Sequence, residues 1–303
     1  MTLTDFDSLP NWALRFNFKA HSPSGTGRPD DLEFFEKAVA RPQKIFNPWP
    51  CTPHAGICVH DYVTDVVANG VLQGEAFRDA LAKFDSHETP AHLPKDAEKS
   101  KIIRDGQYKI PKSEAEGTVF ELTCENMLQG VREATRGANK VTEGRWVSVE
   151  LEGCELPAIG QLDLETGDVI EMKSKWPHVS PTTERGWKIN SVPSKPDLNH
   201  VGQVALYWTW LRQQRENVAV KIVYANCKNY RVFSSEDCPE LSEASLRSAL
   251  NRMRLIARKR EKLMQLCENR DDLFKLISPD FSHFMWRDVS PEFRSIAKQI
   301  WGL

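Results

Sequence analysis

The sequence predicts an α/β fold in which a mixed central β-sheet is flanked by helices, with helical additions before and after it. Apolar residues recur at helical spacing over 56–84 and again beyond 242, whereas the middle of the chain has the alternating apolar pattern of strands. The order of these patterns is helix, three strands, helix, two strands and then helices. This order favours helices packed on a sheet.

Length and composition set the outer limits of this prediction. The chain has 303 residues and a net charge of -2, enough for one large domain or two small ones. It contains no apolar run long enough to span a membrane, and its acidic start lacks the apolar segment of a signal peptide. The 7 cysteines are scattered, without a C-x-x-C pair, which disfavours disulfides and zinc and favours a cytoplasmic protein.

Residues 1–113 are predicted to form an irregular and helical extension. A short helix is expected near 31–40, and helical spacing continues over 56–84 with a break at Gly70. Residues 86–113 are polar and interrupted by three prolines. We therefore expect a long loop or mobile insert there.

Residues 114–240 are predicted to form the core, and 241–303 a helical segment packed on it. The core begins with a helix over about 114–135, and a second helix covers 199–214 after a Pro- and Ser-rich loop. The first three strands are expected to form one meander. The predicted strands are 146–151, 156–164, 169–173, 218–224 and 230–233.

The most informative stretch is the hairpin that contains Asp163, Glu171 and Lys173. Side chains alternate along a strand, so Glu171 and Lys173 share one face, opposite the apolar face of Ile170 and Met172. A three-residue loop would place Asp163 opposite Glu171, whereas a slip by one residue would turn it to the other face. We predict the register that unites the two carboxylates.

Two carboxylates beside a lysine favour a site for a hard divalent cation. Mg²⁺ and Mn²⁺ prefer oxygen ligands, and a cation of this kind activates water and neutralises charge on a phosphate. An exposed hairpin with a structural Glu–Lys pair is the alternative interpretation, because E-x-K triplets are common by chance.

Asp163 followed by Glu171-Met-Lys173 resembles the signature of the PD-(D/E)xK nuclease superfamily. The spacing Gly160-x-x-Asp163 is similar to that of its recombination-exonuclease branch, which includes phage lambda-type exonucleases. The branch also has a Q-x-x-x-Y helix after the E-x-K strand, matched by Gln203 and Tyr207. The resemblance implies a restriction-endonuclease-like core in which these five polar residues are catalytic and the Met172 carbonyl is a further metal ligand.

The resemblance also implies an upstream metal ligand, for which two positions remain open. Gly117-x-x-x-Glu121 directly precedes the first core strand and resembles the lambda-type arrangement, with Glu125 one turn later as another contender. Gly56-x-x-x-His60 resembles the arrangement of recombination-helicase nucleases. Connectivity favours Glu121, and the motif itself favours His60, whose alternative role is a packed or surface histidine.

Basic residues at two places are candidates for DNA contact. One group follows the E-x-K strand, and the other lies on a basic helix between residues 247 and 262, whose alternative role is an ordinary solvated face. Trp176 and Trp187 are candidates for base stacking, although tryptophans are more often buried. The predicted DNA-binding residues are Lys175, Arg185, Lys188, Arg254 and Arg258.

The expected function is therefore Mg²⁺-dependent hydrolysis of DNA phosphodiester bonds, with Mn²⁺ as a substitute. The branch resemblance favours an exonuclease in phage or bacterial replication, recombination or degradation. A non-catalytic DNA-binding protein and an endonuclease of the same superfamily remain alternatives. The cysteines lack the C-terminal cluster of the iron–sulfur members, so no such cluster is expected, and the sequence does not indicate an oligomeric state.

Overall fold

We describe the fold from a computed structural model of the chain. The structure describes residues 9–45, 47, 50–88, 94–109, 116–287 and 289–303. The first two residues of the helix predicted over about 114–135 lie outside these residues. None of the described helices has both the length and the apolar character required to cross a membrane.

The helices fall into an N-terminal group, two helices within the core, and a C-terminal group. In chain order they are α1 (Asn11–Arg15), α2 (Pro23–Thr26), α3 (Asp30–Phe35), α4 (Cys51–Val67), α5 (Gln73–Asp85), α6 (Pro94–Asp105), α7 (Val119–Ala134), α8 (Leu198–Arg212), α9 (Glu243–Gln265), α10 (Arg270–Leu276), α11 (Phe284–Arg287) and α12 (Pro291–Ile300). A π-helix, Glu36–Ala40, continues α3, and a 3₁₀ helix, Pro239–Leu241, precedes α9.

The described strands form one five-stranded sheet and three two-stranded sheets. They are β1 (Gln107–Lys109), β2 (Glu116–Thr118), β3 (Thr142–Glu143), β4 (Trp146–Val149), β5 (Ala158–Gln161), β6 (Leu164–Glu165), β7 (Val169–Ser174), β8 (His178–Val179), β9 (Trp187–Lys188), β10 (Val220–Ala225) and β11 (Tyr230–Ser234).

The five-stranded sheet has the order β11-β10-β7-β6-β3 and is mixed. Strands β7 and β10 are parallel, with α8 in the connection between them, and the other pairs are antiparallel. The predicted α/β class with a mixed sheet is therefore confirmed. The predicted meander is wrong in one respect, because β4 and β5 form a separate two-stranded sheet.

Strand β7 is covered on both faces, which explains its continuous apolar character. Ile170 and Met172 join the core cluster that contains α4 and α7, whereas Val169 joins the cluster around α8. Glu171 and Lys173 have the same parity as Val169. They therefore stand on the α8 side of the sheet, in an otherwise apolar layer.

Two predictions for the N-terminal region have different outcomes. The helical stretch over 56–84 is confirmed as α4 and α5, and its break contains Gly70 at φ 70°, a backbone conformation that favours glycine. The expected loop over 86–113 is wrong for its described part, which contains α6 and β1. Helix α6 is polar, but it packs Ile103 and Asp96 into the interior.

A buried arginine connects the C-terminal helix α9 to the N-terminal segment. Arg260 is 1% exposed and donates to Asp30 Oδ1 at 2.9 Å, to the Gly25 carbonyl at 2.9 Å and to the Arg28 carbonyl at 2.8 Å. Its neighbour Glu261 accepts from the backbone N–H groups of residues 155 and 156 at 2.8 and 2.9 Å. Two adjacent charges thus attach α9 to separate parts of the fold.

We expect Arg260→Met to lower the free energy of unfolding by about 2–5 kcal/mol, because the Gly25 and Arg28 carbonyls lose their donor, at about 1–3 kcal/mol each. Asp30 is 21% exposed and keeps its ion pair with Lys259. Arg247→Met is the control, since Arg247 forms an exposed pair with Glu243 that contributes at most about 1 kcal/mol. Urea unfolding measures both, and equal effects of the two substitutions would contradict the structural role of Arg260.

Candidate functional site

The hairpin β6–β7 has the register that brings the two carboxylates together. Leu164 pairs with Ile170 and Glu165 with Val169, so Asp163 is opposite Glu171. Asp163 Oδ2 accepts a hydrogen bond from the Met172 backbone N–H at 2.8 Å. The predicted register is confirmed, and the side chain of Asp163 is attached to the strand that carries its partner.

Glu171 is fully buried and only half satisfied. Its Oε1 accepts from Lys173 Nζ in a short ion pair, while its Oε2 has no hydrogen-bond partner within the described part of the chain. Burial, together with the nearby charge of Asp163, raises the pKa of Glu171 to about 8 despite the ion pair with Lys173. The structure therefore holds a carboxylate whose negative charge is incompletely compensated.

His60 reaches this pair from helix α4. Its Nε2 lies 3.3 Å from Asp163 Oδ1, and its Nδ1 lies 3.8 Å from Asp61 Oδ1. Burial alone would lower the pKa of His60, but the neighbouring carboxylates of Asp163 and Asp61 raise it to about 10. His60 and Lys173 in turn hold the pKa of Asp163 below its usual value, against the effect of burial.

Gly56 explains how α4 comes close enough to place His60. A Cβ at Gly56 would lie 3.2 Å from Ser174 Oγ on β7, so a larger side chain would push the helix away from the strand. His60 follows Gly56 by one helical turn and shares its face. The Gly56-x-x-x-His60 spacing thus corresponds to a close helix–strand contact beside the carboxylates.

The predicted Gln203 and Tyr207 pair also meets at this place. Gln203 Nε2 donates to Tyr207 Oη at 3.0 Å. Burial raises the pKa of Tyr207, and Glu171 and Asp163 raise it further. A Cβ at Gly160 would lie 2.8 Å from Tyr207 Cε1, so this glycine of the Gly160-x-x-Asp163 motif makes room for the tyrosine.

An open cleft of ≈ 660 Å³ lies at this place. His60, Asp163, Glu171, Met172, Lys173 and Gln203 contribute to its wall, together with Glu143, Gln161, Asp61 and Ser174. The last four were not identified from the sequence. Glu143 and Gln161 precede Asp163 without any motif of their own, and only the pairing of β3 with β6 and of β4 with β5 brings them to the cleft.

Glu121 has a different position and a different role. Thr118 and Glu121 form a capping box at the start of α7, in which Glu121 N–H donates to Thr118 Oγ1 at 3.1 Å and Glu121 Oε2 accepts from Thr118 N–H at 3.4 Å. Neither Glu121 nor Glu125 is among the residues that line the cleft. The structure therefore favours His60 as the upstream residue.

The predicted DNA-contacting residues do not form one surface on the cleft wall. Lys175 Nζ lies 5.5 Å from the Tyr224 ring, directly after the cleft residue Ser174. Arg185 lies over Tyr108 and Trp187, and Lys188 is on β9. Arg254, on α9, is paired with Glu152.

The other two predictions about this surface concern the basic helix and the tryptophans. Arg258 lies near Gly153, whereas Arg260 of the same helix is buried and faces Asp30. Trp176 is buried, and Trp187 is half-buried against the same core. Helix α9 is thus only partly a solvated basic face.

The carboxylate oxygens of the cleft are ligands that suit a hard cation, but they are paired with other side chains rather than grouped around one point. The described residues contain no group of three or more His, Cys, Asp or Glu side chains placed to hold a metal ion. Asp163 is paired with His60, and Glu171 with Lys173. The unpartnered Glu171 Oε2 is nevertheless an oxygen ligand of the kind that Mg²⁺ takes.

Comparisons with known proteins do not assign this site. No protein-family model, curated protein or solved structure matches the chain.

We expect Glu171→Gln to stabilise the metal-free protein above pH 8. The pKa of Glu171 is raised from 4.5 to about 8, so its neutral form is favoured by folding, and this contribution is lost as pH rises through that range. Glutamine is neutral at every pH, so the variant does not lose this contribution. Thermal unfolding in EDTA should show a Tm gain of roughly 2 °C or more at pH 9 that shrinks near pH 5, whereas a pH-independent difference would contradict the raised pKa.

Proposed function

We propose that this chain is a Mg²⁺-dependent deoxyribonuclease of the PD-(D/E)xK superfamily with a restriction-endonuclease-like core. The observation that carries the proposal is the position of Asp163 opposite Glu171, with Lys173 on the same face of the strand. An accidental E-x-K triplet on an exposed hairpin would not require a buried carboxylate. Here Glu171 is 0% exposed and lines an open cleft.

The surrounding architecture supports the same proposal. The E-x-K strand β7 is central in a mixed sheet, and helices α7 and α8 contribute to the core on opposite faces. The polar face is turned toward α8, which carries Gln203 and Tyr207. The three elements of the resemblance, Asp163, the E-x-K strand and the glutamine helix, therefore converge on one cleft.

The residues of the cleft have distinct roles in the proposed hydrolysis. Asp163, Glu171 and the Met172 carbonyl would hold a divalent cation, and His60 would join them once its ring loses a proton. The cation would supply charge neutralisation and lower the pKa of water. The oxygen of a water molecule bonds to phosphorus while the bond from phosphorus to the departing sugar oxygen breaks, and the proton of the water passes to that oxygen. Lys173 Nζ donates to the water or to the developing negative charge.

Gln203 and Tyr207 position the substrate rather than take part in proton transfer. The pKa of Tyr207 is raised, so its hydroxyl stays protonated and can donate. Gln203 lines the cleft and fixes that hydroxyl at 3.0 Å. The resemblance further favours an exonuclease that leaves 5′-phosphates.

We expect Lys173→Ala to reduce Mg²⁺-dependent DNA cleavage at least about 100-fold, since it removes the donor to developing charge. End-labelled linear DNA and closed circular DNA, each with Mg²⁺ or EDTA, provide the assay. Loss of linear DNA alone would support an exonuclease, and cutting of circles an endonuclease.

Lys275→Ala is the matched control for this test, because Lys275 is an exposed lysine paired with Asp272 on α10. It should leave cleavage unchanged. If folded wild-type protein leaves every substrate intact with both Mg²⁺ and Mn²⁺, the enzyme proposal fails, and a non-catalytic DNA-binding protein becomes the better account.

The choice between the two upstream residues can be tested directly. We expect His60→Asn to reduce cleavage by at least about tenfold, in the range found when groups that tune a metal site are removed. Glu121→Gln should retain activity, because glutamine still completes the capping box. Cleavage rates over a Mg²⁺ titration measure both variants, and the reverse order of effects would assign the ligand to Glu121.

A further inference from the structure

A second pocket, lined by several basic side chains, lies near the cleft. Its volume is ≈ 420 Å³, and its lining contains Lys19, Arg28, Lys37 and Arg41 against Glu33. Glu33 is 2% exposed and is paired with Lys37 at 3.1 Å and Arg28 at 3.8 Å. Glu36 pairs with both Arg28 and Arg41, so basic side chains outnumber the carboxylates around this pocket without being free of them.

The outward face of the β4–β5 hairpin joins this pocket to the cleft. Val147 and Val149 pack inward against α8, so the alternate residues face outward. On that outward face, Gln161 lines the cleft, while Trp146 and Ile159 line the basic pocket. Trp146 is the cross-strand partner of Gln161, and such neighbours are only about 5 Å apart.

The basic pocket is fixed relative to this hairpin. His21 N–H donates to the Pro157 carbonyl at 2.9 Å, and Ile159 N–H donates to the His21 carbonyl at 2.8 Å, so the segment from Lys19 to Ser22 runs along β5. His21 Nε2 also lies 3.0 Å from Glu261 Oε1. The pocket is therefore built into the fold beside the proposed active site.

Trp146 stands between the two cavities with 57% of its surface exposed. An aromatic ring of this kind has a free face on which an unpaired base can stack, while neighbouring cations contact the phosphates. The bases of a duplex are stacked on each other and do not offer such a face. The combination of Trp146 with a basic pocket therefore fits single-stranded rather than double-stranded nucleic acid.

We propose that Trp146 and the basic pocket form a subsite for single-stranded DNA that leaves the cleft along the β4–β5 hairpin. A base stacks on Trp146, and Arg28 and Arg41 at the rim contact the next phosphates, with side chains 33% and 59% exposed. This subsite rests on the proposed function for the identity of its ligand. Its residues lie outside the catalytic cleft, so DNA binding at this subsite can be tested without cleavage.

The test is binding of a fluorescent oligothymidylate of roughly twelve nucleotides, followed by anisotropy in EDTA. Trp146→Ala should weaken binding about tenfold, and Trp146→Phe should retain most of it. Arg41→Gln should reduce the slope of log affinity against log salt by about 0.7, the value for one phosphate contact on a single strand.

Arg104→Gln is the matched control for Arg41→Gln. Both side chains are exposed, and both pair with a carboxylate, Arg41 with Glu36 and Arg104 with Asp105. The control should leave the salt slope unchanged, and unfolding temperatures verify that each variant is folded. Equal slopes for the two arginine variants, or unaltered binding by Trp146→Ala, would overturn the subsite.

Failure of the subsite and failure of the proposed function give different results. If the wild type cleaves DNA but its affinity for the oligonucleotide does not depend on Trp146, the nuclease stands and the subsite is wrong. If binding depends on Trp146 and Arg41 but no cleavage occurs with Mg²⁺ or Mn²⁺, the subsite stands and the nuclease proposal is wrong.

Discussion

The hydrogen bond from the Met172 backbone N–H to Asp163 Oδ2 is the constraint from which the organisation of the cleft follows. It attaches the side chain of one strand to the backbone of the next and keeps two carboxylates of like charge close together. Their mutual repulsion is then balanced by cations from elsewhere, His60 from α4 and Lys173 from β7 itself.

The cations in the cleft only partly compensate the charge of its two carboxyl groups. One oxygen of Glu171 remains without a partner, and the pKa of this group is displaced accordingly. Functional sites commonly retain such local cost, which the rest of the fold must compensate. The compensation is visible in the two apolar clusters on either side of β7, which fix the backbone that carries the charges.

The hairpin register could be predicted because it depends on local facts: the three-residue loop, the alternation along β7 and the turn glycine Gly167. The separation of β4–β5 from the main sheet could not be predicted, because it depends on where the chain bends. Gly144 N–H donates to the Asp163 carbonyl at 2.8 Å, and Leu162 N–H to the Arg145 carbonyl at 3.1 Å. These contacts end one strand and begin another within a single apolar stretch.

The sequence contains a signal that favours a structural role for Glu121. Thr118 followed three residues later by a glutamate is a capping pattern, which assigns that carboxylate to the backbone of α7. His60 offered the better motif, but the chain gives no local indication that α4 approaches β7. The sequence did not predict helix α6 because its surface is polar. Its contact with α4 depends on two inward residues, Ile103 in the shared core and Asp96, which accepts from the Cys51 backbone N–H.

The pair Arg260 and Glu261 has a consequence for synthesis on the ribosome. The segment around Asp30 emerges first, yet the guanidinium that satisfies its carbonyls is more than 200 residues away in sequence, as is the carboxylate that holds His21. Chains grow at about 5–20 residues per second, so this segment waits for many seconds with its polar groups facing water. The wall beside the cleft is therefore completed late, after the strands that carry the acidic pair have already been made.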